Sequence, residues 1–163
     1  MKRTALACSV FLALAVVAVA AAPDDQRTRP VARYISGALD GTFTFENWGT
    51  PDAVTNGEAS GTLRHLGLAQ LYTRHQPNDD GTLRHGAFKI VAADGDFLWG
   101  KYEGAGYWDP NGYQVQGDAQ FVVSGGTGRF AHARGTLNAV LVETFDAAFN
   151  CTVTWALEGT VSY

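Results

Sequence analysis

The chain has 163 residues, with 12 Lys and Arg against 16 Asp and Glu and a formal charge of −4. That length suits one domain with a sizeable core and leaves no need for a second. The acidic balance and the lack of any Lys/Arg-rich run argue against a nucleic-acid partner, since such a surface repels phosphate.

Lys2 and Arg3 precede an almost wholly apolar stretch, residues 5–20, that ends in Ala18-Val19-Ala20. A basic start, a short apolar run and small residues at its end predict a signal peptide over 1–20, cleaved between 20 and 22. The run is several residues short of the ~20 needed to cross hydrocarbon, so no membrane association is expected once the leader is gone. The expected product is secreted or periplasmic, and without Lys2 and Arg3 its charge is 10 against 16, or −6. Cys8 leaves with the leader. Cys151 is then the one cysteine of the mature chain, which excludes an internal disulfide but still permits a cross-link between two copies. In the segment Cys151-Thr152-Val153-Thr154-Trp155 it reads as a small apolar strand residue.

Residues 23–30 hold Asp24, Asp25, Gln26, Arg27, Thr28 and Arg29 between two prolines, the composition of a tether, which we place at 21–36, with the folded domain over 37–163. The first clear strand is 41–46, where Phe43 and Phe45 share one face. Asn56-Gly57 predicts a turn, followed by strands over 58–65 and 67–75. Asn78-Asp79-Asp80-Gly81 predicts another turn before a strand over 83–92. Asp94-Gly95-Asp96 leads into 97–103, with Phe97, Trp99, Lys101 and Glu103 on one face and Leu98 and Tyr102 on the other. Asp109-Pro110-Asn111-Gly112 precedes 113–124, and two long strands over 135–145 and 151–163 close the chain.

No segment after the leader holds a 3.6-residue apolar period for three turns. Eight strands spaced as a meander must deal with two edges, and closure into an antiparallel up-and-down β-barrel removes both. Glycines within the predicted strands (Gly61, Gly100, Gly104, Gly117, Gly159) favour the barrel over a two-sheet sandwich because they permit sharp bending.

Gly125-Gly126-Thr127-Gly128-Arg129-Phe130, continuing through Ala133 and Gly135, resembles a signature of the allene oxide cyclase and dirigent superfamily, in particular its bacterial secreted branch of allene-oxide-cyclase-barrel-like domains. Gly61-Thr62-Leu63-Arg64-His65-Leu66-Gly67, Ala93-Asp94-Gly95-Asp96 and the ending Leu157-Glu158-Gly159-Thr160-Val161-Ser162-Tyr163 resemble other segments of that branch, in the same order. The resemblance spans about residues 37 to 163. It implies an eight-stranded antiparallel barrel, often trimeric in plant relatives, and chemistry by a shaped hydrophobic cavity with few catalytic groups. It assigns no catalytic residue to this chain. The glycine-rich segment itself reads as structural: Gly125, Gly126 and Gly128 tolerate positive φ, and Phe130 can plug a barrel end. No helix or Lys-Ser/Thr follows it to make a phosphate loop.

His65, His75 and His85 recur every ten residues, and Gly-Thr-Leu-Arg-His occurs at both 61–65 and 81–85. Three imidazoles on neighbouring strands are a candidate zinc set if they share one height in the sheet; otherwise they are polar strand ends, and no metal or cofactor is the favoured expectation. Glu103 and Glu143 share the parity of large apolar neighbours and, with Tyr102, are the candidate acid–base groups. Trp99, Tyr107, Trp108, Tyr113 and Trp155 are candidates to line a cavity for a flat or lipidic ligand. Neither a nucleophile elbow with its triad nor a dinucleotide fingerprint is present.

These features rank three readings. The first is an exported barrel, monomeric or homo-oligomeric, that binds a small hydrophobic or aromatic molecule. The second is a cyclase or isomerase acting by cavity shape with a buried carboxylate or Tyr. The third is a structural or surface domain whose barrel is packed solid. An all-apolar cavity favours the first, and a buried unpaired carboxylate in that cavity favours the second.

Overall fold

A computed structural model describes residues 30–163; the predicted signal peptide and residues 21–29 of the predicted tether lie outside them. The chain forms eight strands: β1 (Ala32–Glu46), β2 (Val54–Leu63), β3 (Gly67–Pro77), β4 (Leu83–Val91), β5 (Phe97–Trp108), β6 (Gln114–Gly126), β7 (Arg134–Phe145) and β8 (Cys151–Ser162). Each pairs antiparallel with the next, and β1 pairs with β8 from Ala32↔Ser162 to Phe43↔Cys151, closing an up-and-down barrel. Closure leaves no free edge, as expected for a meander of this length.

Alternation explains the core. Ile35, Leu39 and Phe43 of β1, Leu71 of β3, Leu137 and Leu141 of β7, and Val153, Trp155 and Leu157 of β8 all point inward and are buried, while their chain neighbours face out. Each fully buried large side chain stabilises the fold by roughly 1.5–3 kcal/mol relative to its exposed state.

Three differences from the sequence reading are informative. Residues 32–36, placed in the tether, already belong to β1, because pairing with the C-terminal strand starts at Ala32. Asn56-Gly57 is no turn: it lies inside β2, paired with Thr44 and Phe43. Gly57 is buried, and a Cβ there would come within 2.4 Å of the Phe43 ring and 2.3 Å of Thr73 Oγ1, so glycine serves packing at that point. The real turn falls between Glu46 and Val54, where Asn47 (φ 51°) and Gly49 (φ 79°) take left-handed conformations. On β5, the face carrying Trp99 and Glu103 is the outer one, and Leu98 and Tyr102 are buried.

The two ends of the barrel differ. At one end a short 3-10 turn, η1 (Gly128–Phe130), drops Phe130 into full burial, its ring 4.6 Å from that of Tyr163. Leu66, Ala92 and Ala133 complete this plug. The Asp96 carboxylate accepts a hydrogen bond from the Arg129 N–H, 3.0 Å. It sits so close to Gly128 (φ 47°) that a Cβ there would fall 2.1 Å from Asp96 Oδ1. Within the glycine-rich segment, then, Gly128 takes a left-handed conformation, whereas Gly126 is needed because a Cβ would meet the Phe97 carbonyl oxygen at 2.2 Å. The β1–β2, β3–β4, β5–β6 and β7–β8 connections gather at the other end, and that end is open.

Candidate functional site

At mid-height five aromatic rings from five strands meet in a closed cycle. Phe43 of β1 packs on His75 of β3 (6.2 Å between centroids), His75 on Tyr102 of β5 (5.8 Å), Tyr102 on Phe121 of β6 (4.8 Å, stacked), Phe121 on Trp155 of β8 (5.7 Å), and Trp155 on Phe43 (5.9 Å). Edge-to-face and stacked pairs at these distances are the favoured arrangements of ring quadrupoles. Below this floor the barrel is filled to the plug. Above it a cavity of about 990 Å³ opens to solvent, floored by Phe43, His75 and Trp155 and bordered on β5 by Ala105 and Gly106. That volume is at the upper end of the range for small-molecule sites.

The walls of the mouth are unlike each other. One is aromatic: Phe45 contacts Trp48 (5.0 Å) and Phe145 (6.0 Å), and Phe145 contacts Trp108 (5.0 Å) and Phe149 (5.0 Å). Trp48, Trp108 and Phe149 are substantially exposed at the rim. Across the mouth the β3–β4 connection contributes Asn78, Asp79 and Asp80, followed by Arg84, whose guanidinium donates to the Pro51 carbonyl oxygen at 3.2 Å.

Two polar features interrupt the apolar interior. His75 Nδ1 lies 2.5 Å from the Tyr102 hydroxyl oxygen. Burial lowers the His75 pKa to about 4 and raises that of Tyr102, so both are neutral at pH 7 and share one proton-mediated hydrogen bond. The Thr73 hydroxyl is near enough to act on the Tyr102 titration, yet no group is aligned with it, and Thr73 Oγ1 stays buried without a hydrogen-bond partner.

The second feature is Glu143 of β7, which lines the cavity beside Leu141 and Phe145. Burial pushes its carboxyl up to about 7, against a small opposing effect of the Cys151 thiol. Cys151 Sγ is 3.8 Å from Glu143 Oε2 and 3.7 Å from the Thr152 carbonyl oxygen, and its single proton can serve only one of them at a time. Burial first, and the Glu143 charge second, push the thiol up to about 12. Among the described residues no cationic side chain pairs with Glu143.

The candidates named from sequence separate cleanly. Glu143 and Trp155 line the cavity, as do Tyr107 and Trp108 at its rim. Tyr102 lies just beneath, reached through His75. Glu103 and Trp99 are on the outer face of β5, and Tyr113 is exposed outside the cavity lining. The three histidines do not converge, although His75 and His85 border one small pocket beside the β3–β4 bulge. His65 is in the β2–β3 turn at the plugged end, with a left-handed backbone, whereas His75 is buried toward the mouth. His85 is exposed at a β-bulge where Arg74↔Ala87 is followed by Gln76↔Arg84. Among the described residues no group of three His, Cys, Asp or Glu is arranged to hold a metal.

Sequence reasoning missed Phe45, Trp48, Phe145 and Phe149 as a wall. Trp48 and Phe149 are isolated in loops, and only the folded turns bring them together. No protein-family model, curated protein or solved structure matches the chain, so the barrel is the level at which the resemblance to allene oxide cyclases is supported.

Proposed function

We propose that the mature protein is an exported barrel that holds a small, largely aromatic or apolar molecule in its open mouth. The observation that carries this reading is the 990 Å³ cavity with an aromatic floor and one aromatic wall. A barrel serving only as a structural domain gains nothing from an open end that leaves Trp48, Trp108 and Phe149 in water. The leader-like composition of residues 1–20 supports export. The motif order seen in the sequence supports a place near the allene-oxide-cyclase-barrel-like domains.

A second reading, a cyclase or isomerase, is favoured by one specific feature. Glu143 is a cavity carboxyl held near 7 by burial, where a group can both give and take a proton at neutral pH. Binding is required by both readings, so it is tested first. The protein, purified without its leader from the producing host, is measured by native mass spectrometry under gentle desolvation. A retained small molecule supports the proposal and gives the ligand class. A clean apo mass together with no uptake of hydrophobic dyes contradicts it.

A further inference from the structure

The charge distribution around the mouth narrows the class of ligand, given the binding reading above. Among the described residues Glu143 is the one ionisable carboxyl set among the aromatic side chains of the inner wall, and its only hydrogen-bonding neighbour is a thiol at 3.8 Å. Asp79 and Asp80 add negative charge at the opposite rim, and the single cation lining the cavity among those residues, Arg84, is turned to the Pro51 carbonyl. His75, the remaining basic group, is uncharged at neutral pH and engaged with Tyr102. The aromatic faces of Phe43, Phe145, Trp108 and Trp155 complete the surroundings, and such faces attract cations through their quadrupoles.

An ionised Glu143 therefore lacks a counter-charge, and the walls beside it suit a cation with a hydrophobic body. A carboxylate ligand would meet the opposite balance: Glu143, Asp79 and Asp80 would all repel it, against the single attraction of Arg84 at the rim. We propose that the mouth selects small organic cations, an amine or quaternary ammonium on an aromatic or apolar frame, with the charge directed at Glu143. The cation and the Glu143 proton compete for one oxygen pair, so affinity rises as the pH rises through about 7. The other titratable or charged groups around the cavity are Asp79, Asp80, Arg84, His75 and Tyr107, with Cys151 beside Glu143 and Tyr102 within reach of its charge. Asp80 is held below its ordinary range by hydrogen bonds from Thr82, and neither His75 nor Cys151 titrates between pH 6 and 8.

The test is calorimetric titration of the leaderless protein with benzyltrimethylammonium, whose charge is independent of pH, beside 2-phenylethanol and 3-phenylpropionate. At pH 8 the ammonium is expected to bind at least about tenfold more tightly than either. It should weaken about tenfold by pH 6 and lose both its advantage and its pH dependence in Glu143→Gln, with folding checked by melting temperature. Equal or tighter binding of the alcohol or the acid overturns cation selection while leaving the binding reading in place, as does ammonium binding unchanged in Glu143→Gln. No heat with any of the three overturns cation selection, and no heat together with no saturable uptake of a hydrophobic dye overturns both.

Discussion

The hydroxyl of Tyr102 and Nδ1 of His75 lie 2.5 Å apart at the cavity floor, joining β5 to β3 across the barrel interior. The pair places a polar contact inside a ring of aromatic packing, and each partner satisfies a group that burial would otherwise penalise. Tyr102→Phe leaves His75 Nδ1 unpaired and is expected to cost about 1–3 kcal/mol of unfolding free energy. His75→Phe leaves the tyrosine hydroxyl in the same position at similar cost, and the double variant should lose less than the two singles together. Denaturant unfolding of the three variants measures the coupling.

The pH dependence of stability should show two opposed contributions. His75 titrates near 4 in the fold and near 6.5 unfolded, so the unfolded chain takes up the extra proton, and this contribution is lost as pH falls from 6.5 to 4. Glu143 titrates near 7 in the fold and near 4.5 unfolded. Its contribution is fully present below 4.5 and is lost as pH rises to 7. Each is worth up to about 3 kcal/mol, and between pH 4.5 and 6.5 they offset each other. Glu143→Gln should therefore lose stability steadily on acidification, whereas His75→Phe should gain it between pH 7 and 4.5. Unfolding midpoints across pH 4 to 8 check both slopes, and parallel profiles for the two variants would contradict the assignment.

Thr73→Val removes a buried hydroxyl that has no hydrogen-bond partner and keeps its shape. We expect a gain of about 1 kcal/mol. Gly57→Ala, at its cross-strand partner on β2, should destabilise by about 1–3 kcal/mol, because the new methyl meets both Phe43 and Thr73. Thermal melts of the two variants should move in opposite directions.

Cys151 should be unreactive in the native state. It is buried, with its thiol pushed up to about 12, so its thiolate fraction at pH 8 is about a thousandfold below that of an ordinary thiol. Modification by Ellman's reagent is expected only at the rate of unfolding. Fast native labelling would show that the thiol reaches the cavity solvent.

Much of this architecture is visible in the sequence because a closed meander buries one face of every strand. Leu137, Ala139, Leu141 and Glu143 alternate so regularly that the pattern alone marks the carboxyl as inward. On β5 the same logic is silent about direction: Phe97 and Trp99 face one way, Leu98 and Tyr102 the other, and both faces are apolar enough to be core. The outer position of Trp99 and Glu103 is set by register with β4 and β6, where Trp99 opposes Lys89 and Gly125. Asn56-Gly57 has turn chemistry, but the local preference yields to packing of Gly57 under Phe43. His75 and Tyr102 are 27 residues apart and meet only through the barrel interior, next to a bulge that no spacing rule reveals.

Ligand uptake in the barrel above the His75 and Trp155 floor can be tested directly. The most direct measurement is a fluorescence titration of the leaderless protein with N-phenyl-1-naphthylamine, an uncharged apolar probe, alongside Leu141→Trp, which adds bulk at the cavity wall. Saturable one-to-one uptake by the native chain, reduced at least about tenfold in a folded Leu141→Trp variant, is the predicted result. Absence of saturable uptake, or uptake unchanged when Leu141 is enlarged, would contradict the account.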